Sequence, residues 1–411
     1  MRESLLLMAR ALVRGHVLTL LLAAVALVHG LLPALVRGDG TAAGGREMFL
    51  RAVPGAVVAV VLTTVLACAC GALAREREAH RLALTAVRPA PAFVVVAGRW
   101  LALCVLAAAA LGVNAALTAF RFPGAPDCRH HHAPSLPPAG VVAQKMLEAY
   151  LADPSTPEAV RKAPRRAVLA LLTNKEGDRY DAVPPGGSMA WPFGETVEKE
   201  GLTVRVCFAT TYSTRLPVRG LFTFGGAAGA VSNETQSVVD IPLRGHAGVA
   251  SELVFRNDGP DSVMLRPRRD LELLSPADGF AANLLRATLQ SFATIALLAA
   301  FGLFLSAALS RPVAVFTALV LVAVALMAPS AVEQFPDELE VSLANRIGLW
   351  LSRGVSVLTA AFAAPSPVTD LATGRCVEWP ALARTLVEDL VVWPAAFLSL
   401  AAVLVRRKPL P

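Results

Sequence analysis

Apolar positions gather in long runs near the two ends of this chain, and between them lies a stretch where apolar and polar positions alternate. A helix crossing about 30 Å of hydrocarbon needs roughly 20 apolar residues. Six runs reach that length, at 17–36, 53–74, 100–120, 287–309, 312–330 and 386–405. The first follows Arg10 and Arg14, as a secretory signal would. It extends from Val17 to Val36, interrupted by His29, Gly30 and Pro33, whereas the apolar core of a signal is only about 7 to 15 residues. It reads as a membrane anchor.

The intervening stretch, 121–283, opens with Pro123, Pro126, Pro134, Pro137 and Pro138. A helical part follows at 138–173, where apolar spacing suits short helices over Val141–Tyr150 and Pro157–Leu172. A β-rich part covers 201–275: Val204, Val206 and Phe208 alternate with Thr203, Arg205 and Cys207, and Phe222 and Phe224 repeat the period. Leu253 and Phe255 lead into Asn257-Asp258-Gly259-Pro260 and the pattern resumes at Val263 and Leu265, which predicts a hairpin. The expected fold is a membrane all-α bundle of six transmembrane helices plus an extracytoplasmic α+β domain with an antiparallel β-sheet or sandwich. Its parts are an N-terminal membrane half at 1–120, the inserted domain at 121–283 and a C-terminal membrane half at 284–411.

Composition agrees with the pattern: 17% of residues are charged and 55% hydrophobic, against about 25% charged in soluble domains. Short loops rich in Arg and Lys stay on the cytoplasmic side. Arg2, Arg10 and Arg14 precede the first run; Arg75, Arg77, Arg81 and Arg88 lie between the second and third; Arg311 lies between the fourth and fifth; and Arg406, Arg407 and Lys408 follow the last. With alternating spans all four groups share one face, which puts both termini in the cytoplasm and 121–283 outside. Arg37, Arg46 and Arg51, in the first external loop, run against that rule. The net charge of +7 therefore reports topology, and nucleic acid is not an expected partner. The stretch 340–364 is apolar enough to lie on the membrane or re-enter it, and both readings stay open.

Candidate chemistry is sparse. Cys128-Arg129-His130-His131-His132 is the one metal-like cluster, but adjacent histidines do not converge on one ion and no second Cys/His group stands at zinc spacing, so a solvated loop is expected and no metal. Cys128, Cys207 and Cys376 fall outside the membrane, where one disulfide among them is open and none is required. No catalytic motif is present, so no catalytic residue is assigned and the chain is expected not to be an enzyme. No Gly-rich loop with Lys-Ser/Thr cradles phosphates, so no cofactor is assigned and ATP-driven work requires a partner. The spans show Asn114 as the main polar intruder, which argues against ion-coupled transport.

The stretch between the second and third runs, 75–97, is more informative. Arg75, Glu76, Arg77 and Glu78 alternate in charge, Leu82 and Leu84 follow, and Arg88-Pro89 ends the pattern, as in a short amphipathic surface helix or a solvated loop. These residues, together with Gly98-Arg99, resemble the permease subunits of ABC transporters of the type-2 exporter class, with His80-Arg81 standing where that family has a Gly-Thr pair. Phe280, Asn283 and Arg286 before the fourth run, Pro367, Leu371, Gly374 and Trp379 before the last, Trp393-Pro394 inside it and Arg406-Arg407-Lys408 after it add to the resemblance.

The resemblance implies a multi-pass subunit of a bacterial inner-membrane export system, a homodimer or a heterodimer with a similar permease, working in lipid on a separate cytoplasmic P-loop ATPase that binds the ATP. Arg75, Glu76, Arg77, Glu78, Leu82, Leu84, Arg88 and Pro89 would then form the loop that docks on that ATPase, and Leu5–Val13 an interfacial helix. The alternative is a membrane-anchored scaffold or binding protein whose β domain recruits a partner and which transports nothing.

Overall fold

A computed structural model of the protein describes residues 2–36, 42–78, 91–122, 128–153, 155, 163, 165–194, 201–209, 216–245, 251–332 and 367–407. The chain forms two compact units: 1–126, 279–332 and 348–411 make the first, and 127–278 with 333–347 the second.

The first unit is helical. It comprises α1 (Arg2–Arg14), α2 (Val17–Leu35), α3 (Ala42–Glu78), α4 (Ala92–Arg121), α7 (Phe280–Ala308), α8 (Arg311–Val332), α9 (Pro367–Thr373), α10 (Trp379–Val387), one π-helical turn (Glu388–Val392) and α11 (Trp393–Arg407). Among the described residues, five stretches are long and apolar enough to cross a bilayer: Val17–Leu35, Gly45–Ala74, Ala92–Arg121, Phe280–Ala308 and Trp379–Arg406. The predicted fifth span coincides with α8, whose side chains are described only to Ala323, and that part is shorter than a span. The predicted re-entrant stretch 340–364 lies outside the described residues.

These helices bury one stripe and expose the rest. Val57, Val61, Val65, Ala69 and Leu73 repeat every four residues along α3 and pack with Val96, Leu103 and Ala107 of α4 and Ile295, Ala299 and Leu303 of α7, as positions four apart share one helix face. Leu20, Leu27, Leu31 and Leu35 of α2 are exposed, the surface a lipid-facing helix presents. Helix α3 is longer than its apolar run because Arg46, Glu47 and Arg51 continue it, with Glu47 and Arg51 paired at 3.4 Å one turn apart. Two of the arginines at odds with the charge rule thus belong to a helix extension.

The second unit holds β1 (Arg129–His132), α5 (Ala139–Ala152), α6 (Arg165–Gly177), β2 (Asp181–Val183), β3 (Ser188–Pro192), β4 (Thr203–Cys207), β5 (Pro217–Phe224), β6 (Ala227–Glu234), β7 (Val238–Pro242), β8 (Glu252–Asn257), β9 (Val263–Leu265) and β10 (Leu271–Pro276). The two four-stranded sheets run β1-β10-β4-β7 and β3-β8-β5-β6, β2 pairs with β9, and every pairing is antiparallel. Val204, Val206, Leu271 and Leu273 of one sheet and Trp191, Phe222, Phe224, Leu253 and Phe255 of the other enter a single core, so the domain is a sandwich. Helices α5 and α6 pack on each other through Ala143, Leu147 and Leu172.

Two expectations are corrected here. The predicted hairpin at Asn257–Pro260 is a crossover: β8 pairs with β3 and β5, whereas β9 pairs with β2. Asn257 is buried and its side-chain amide donates to the carbonyls of Val183 and Asp261 while its oxygen accepts from Gly259 N–H. That network turns the chain between sheets where a two-residue turn would fold it back. The histidine run is likewise no loop; it forms edge strand β1 on β10, with His132 Nε2 3.0 Å from Ser275 Oγ and His131 Nδ1 3.3 Å from the Glu272 carboxylate.

Candidate functional site

The stretch singled out from the sequence is partly visible. Arg75, Glu76, Arg77 and Glu78 form the last turn of α3, where the side chain of Glu76 alone is described; Leu82, Leu84, Arg88 and Pro89 lie outside the described residues. Helix α4 starts at Ala92, directly after Pro91, which caps it and whose carbonyl accepts from Val95 N–H at 3.3 Å.

Glu76 faces Arg99, two turns into α4. The guanidinium engages it in two places, Nε donating to Oε1 at 3.2 Å and Nη2 to Oε2, while Nη1 donates to Val95 O at 3.4 Å. The Arg99 side chain is 5% exposed and that of Glu76 31%. A cation so buried is tolerable only with a partner, and the two-pronged match of guanidinium to carboxylate fixes orientation as well as charge. The ion pair ties together the two helices that flank residues 79–90.

The same end of α3 is fastened to two further helices. Ser306 Oγ of α7 accepts from Leu73 N–H at 3.1 Å and Ala74 N–H at 3.0 Å. Gly302 lies one turn earlier, where an added Cβ would stand 2.8 Å from Ala69 Cβ. Small residues four apart let two membrane helices approach this closely. Cys70 Sγ donates to Ala314 O of α8 at 3.7 Å.

The opposite end of α7 carries a second polar knot. Asn283 accepts from Val377 N–H at 2.8 Å and donates to Arg375 O at 2.8 Å, as a strand partner would. Arg286, 1% exposed, donates to Val377 O at 2.8 Å and stacks 5.2 Å from the Trp379 ring. Between α2 and α4, His29 Nε2 lies 2.9 Å from Asn114 Oδ1.

The reading that Asn114 is the main polar intruder is therefore corrected: Arg99, Asn283, Arg286 and Asp389 are all buried in the helical unit. Two of them were missed because the runs were drawn from 100 and 287, immediately after Arg99 and Arg286. The charge just before each run was the available signal. Asp389 stood inside the run 386–405 beside Glu388.

Cys128 and Cys376 are disulfide-bonded, while Cys70, Cys104 and Cys207 are free thiols. Burial chiefly, and the nearby Asp270 carboxylate, push the Cys207 thiol up against the opposing Arg266. Among the described residues no group of three His, Cys, Asp or Glu side chains can hold a metal ion. No protein-family model, no curated protein and no solved structure matches the chain.

Proposed function

We propose that this protein is the membrane subunit of an ATP-driven export system, a permease of the type-2 ABC exporter class. It works as a homodimer, or paired with a similar subunit, on a separate cytoplasmic P-loop ATPase. It sits in a bacterial inner membrane with six spans, α8 being the fifth of them, both termini in the cytoplasm and 121–283 outside. The observation that carries this reading is the Glu76–Arg99 pair. A partner pushing on residues 79–90 acts on two helices clasped at their bases, and α3 passes that load to α7 through Ser306. Packed helices respond to such a push as rigid bodies. The grouping of arginines in alternate loops supports the orientation. Disulfide-bonded Cys128 and Cys376 suit an oxidising compartment at both ends of the stretches placed outside.

The test uses the full-length protein in its native membrane, with a photo-crosslinker at Leu84. The expected adduct is a P-loop ATPase, and the paired changes Leu82→Asp and Arg88→Glu abolish it without loss of membrane insertion. An adduct formed only from positions in the β domain, with none from Leu84, would favour the scaffold reading instead.

A further inference from the structure

Asp389 is 3% exposed and stands in the π-helical turn Glu388–Val392, inside the apolar stretch Trp379–Arg406. The turn has a local cause. Pro394 has no N–H to donate and its ring crowds the carbonyl one turn before it; the chain widens, and Trp393 N–H reaches back five residues to Glu388 O. Such widened turns recur at functional positions because they leave backbone groups available.

Helix α7 packs against this turn, which α10 and α11 continue on either side, and the charged groups of all three are engaged elsewhere or lie at other depths. On α7 the one charged residue is Arg286, committed to Val377 O and Trp379. On α10, Arg384 pairs with Glu388 at 2.8 Å. On α11, Arg406 and Arg407 close the far end. Trp379 contacts Arg286, and Phe397 packs edge-on against Phe301 and tilted against Phe304; along the chain Asp389 lies between these two contacts, as Ser291 and Thr294 do on α7. Their hydroxyls donate to their own helix, at 2.9 Å to Ala287 O and 3.3 Å to Gln290 O. Among the described residues, Asp389 has neither a hydrogen-bond partner nor an ion-pair partner.

We propose that Asp389 is a proton-binding site inside the helical bundle, neutral while buried and able to release its proton when the π-turn opens to water. An ionised carboxylate in this place would bear a desolvation cost without a counter-charge, whereas the neutral acid needs only one acceptor for its O–H. A metal ion would need several oxygen ligands at once, and the described surroundings do not converge that many. Ionisable groups within membrane helices mark pathways and relays for this reason. The site would make export dependent on proton occupancy in addition to ATP, and it rests on the reading that Trp379–Arg406 is a span.

The test treats full-length protein in lipid vesicles with dicyclohexylcarbodiimide, which modifies protonated carboxyls in apolar surroundings, and maps the adduct by mass spectrometry. The expected adduct is on Asp389 and falls about tenfold per unit of pH above its midpoint. It survives Glu388→Gln, is absent in Asp389→Asn and is indifferent to sodium. No adduct on Asp389 at any pH would overturn the proposal, and so would loss of the adduct on adding sodium at fixed pH, which would mean a metal ion occupies the site. Single cysteines introduced as Arg384→Cys and Arg406→Cys and labelled from the same side of the membrane would sink the span and the site together; labelling from opposite sides with no adduct on Asp389 would sink only the site.

Discussion

The helical unit and the β-sandwich solve the same problem in opposite directions. In the sandwich, Phe208, Phe222, Phe224 and Phe255 are turned inward, and the rings of Phe222 and Phe255 lie 4.7 Å apart. Its ion pairs, such as Arg205–Asp240 at 2.7 Å and Arg256–Asp258 at 2.8 Å, lie on the solvent side. In the helical unit, large apolar residues such as Leu27, Phe120 and Phe316 face outward, and charges such as Arg99 and Arg286 face inward. The sandwich is therefore held by the aversion of its rings for water, whereas the helical unit is given its register by a few polar contacts that have nowhere else to go. The same type of substitution should have different consequences in the two units.

The largest effect is expected where the sandwich concentrates its core. Phe222→Ala deletes a fully buried ring from the aromatic cluster and should cost about 3 to 5 kcal/mol. Hydrogen exchange should show lost protection in β4, β5 and β8, while membrane insertion, which depends on the helices, stays as in the native chain. Protection retained at native levels would mean that the cluster does not hold the sheets together.

The Glu76–Arg99 pair comes next. Glu76→Gln leaves the Arg99 cation buried without its counter-charge; because Glu76 is 31% exposed, the cost is discounted to about 1 to 3 kcal/mol from the value for a fully buried pair. Replacing both residues by Leu should restore most of that loss, since the desolvated charge goes with its partner. Thermal unfolding in detergent of the single and double variants measures the difference. A double variant less stable than the single one would show that the pair is more than a mutual neutralisation.

Much of this organisation could be read from the chain. Five of the expected runs are helices of span length, because a lipid-facing helix is apolar on every side and needs no partner to be recognised. The alternation at Val204, Val206 and Phe208 predicted β4 for a similar reason: one buried face imposes a period of two. Strand β1 was not legible, since His130, His131 and His132 show no apolar alternation and become a strand only by pairing with β10. The partners of Arg99 and Asn283 were hidden too. Arg99 meets Glu76 across a helix connection, and Asn283 meets Arg375 and Val377 some ninety positions away; no periodicity records such long-range pairings.

A smaller effect is expected between α2 and α4. Asn114→Leu removes the group 2.9 Å from His29 Nε2, and polar contacts between membrane helices average about 0.6 kcal/mol with an upper value near 1.7. Loss of that size, read as a lowered unfolding midpoint, would match the helical unit's dependence on scattered polar contacts. A gain in stability would show that Asn114 is kept for something other than holding α2 to α4.

The smallest effect sharpens the comparison most, because it repeats the Glu76 experiment on the other unit. Arg256 and Asp258 make an equally well-formed pair, Nε to Oδ1 at 2.8 Å and Nη2 to Oδ2 at 3.2 Å, and the carboxylate holds the guanidinium above its ordinary value through that hydrogen bond. Both side chains are open to solvent, at 58% and 44% exposure, so water and salt replace whatever either loses. Asp258→Asn keeps the backbone bond from Asp258 N–H to Arg219 O and should leave the unfolding midpoint of the sandwich unchanged at physiological salt. If it destabilised the domain as much as Glu76→Gln destabilises the helices, burial would not be what separates the two pairs, and the contrast between the units would have to be sought in their backbone geometry.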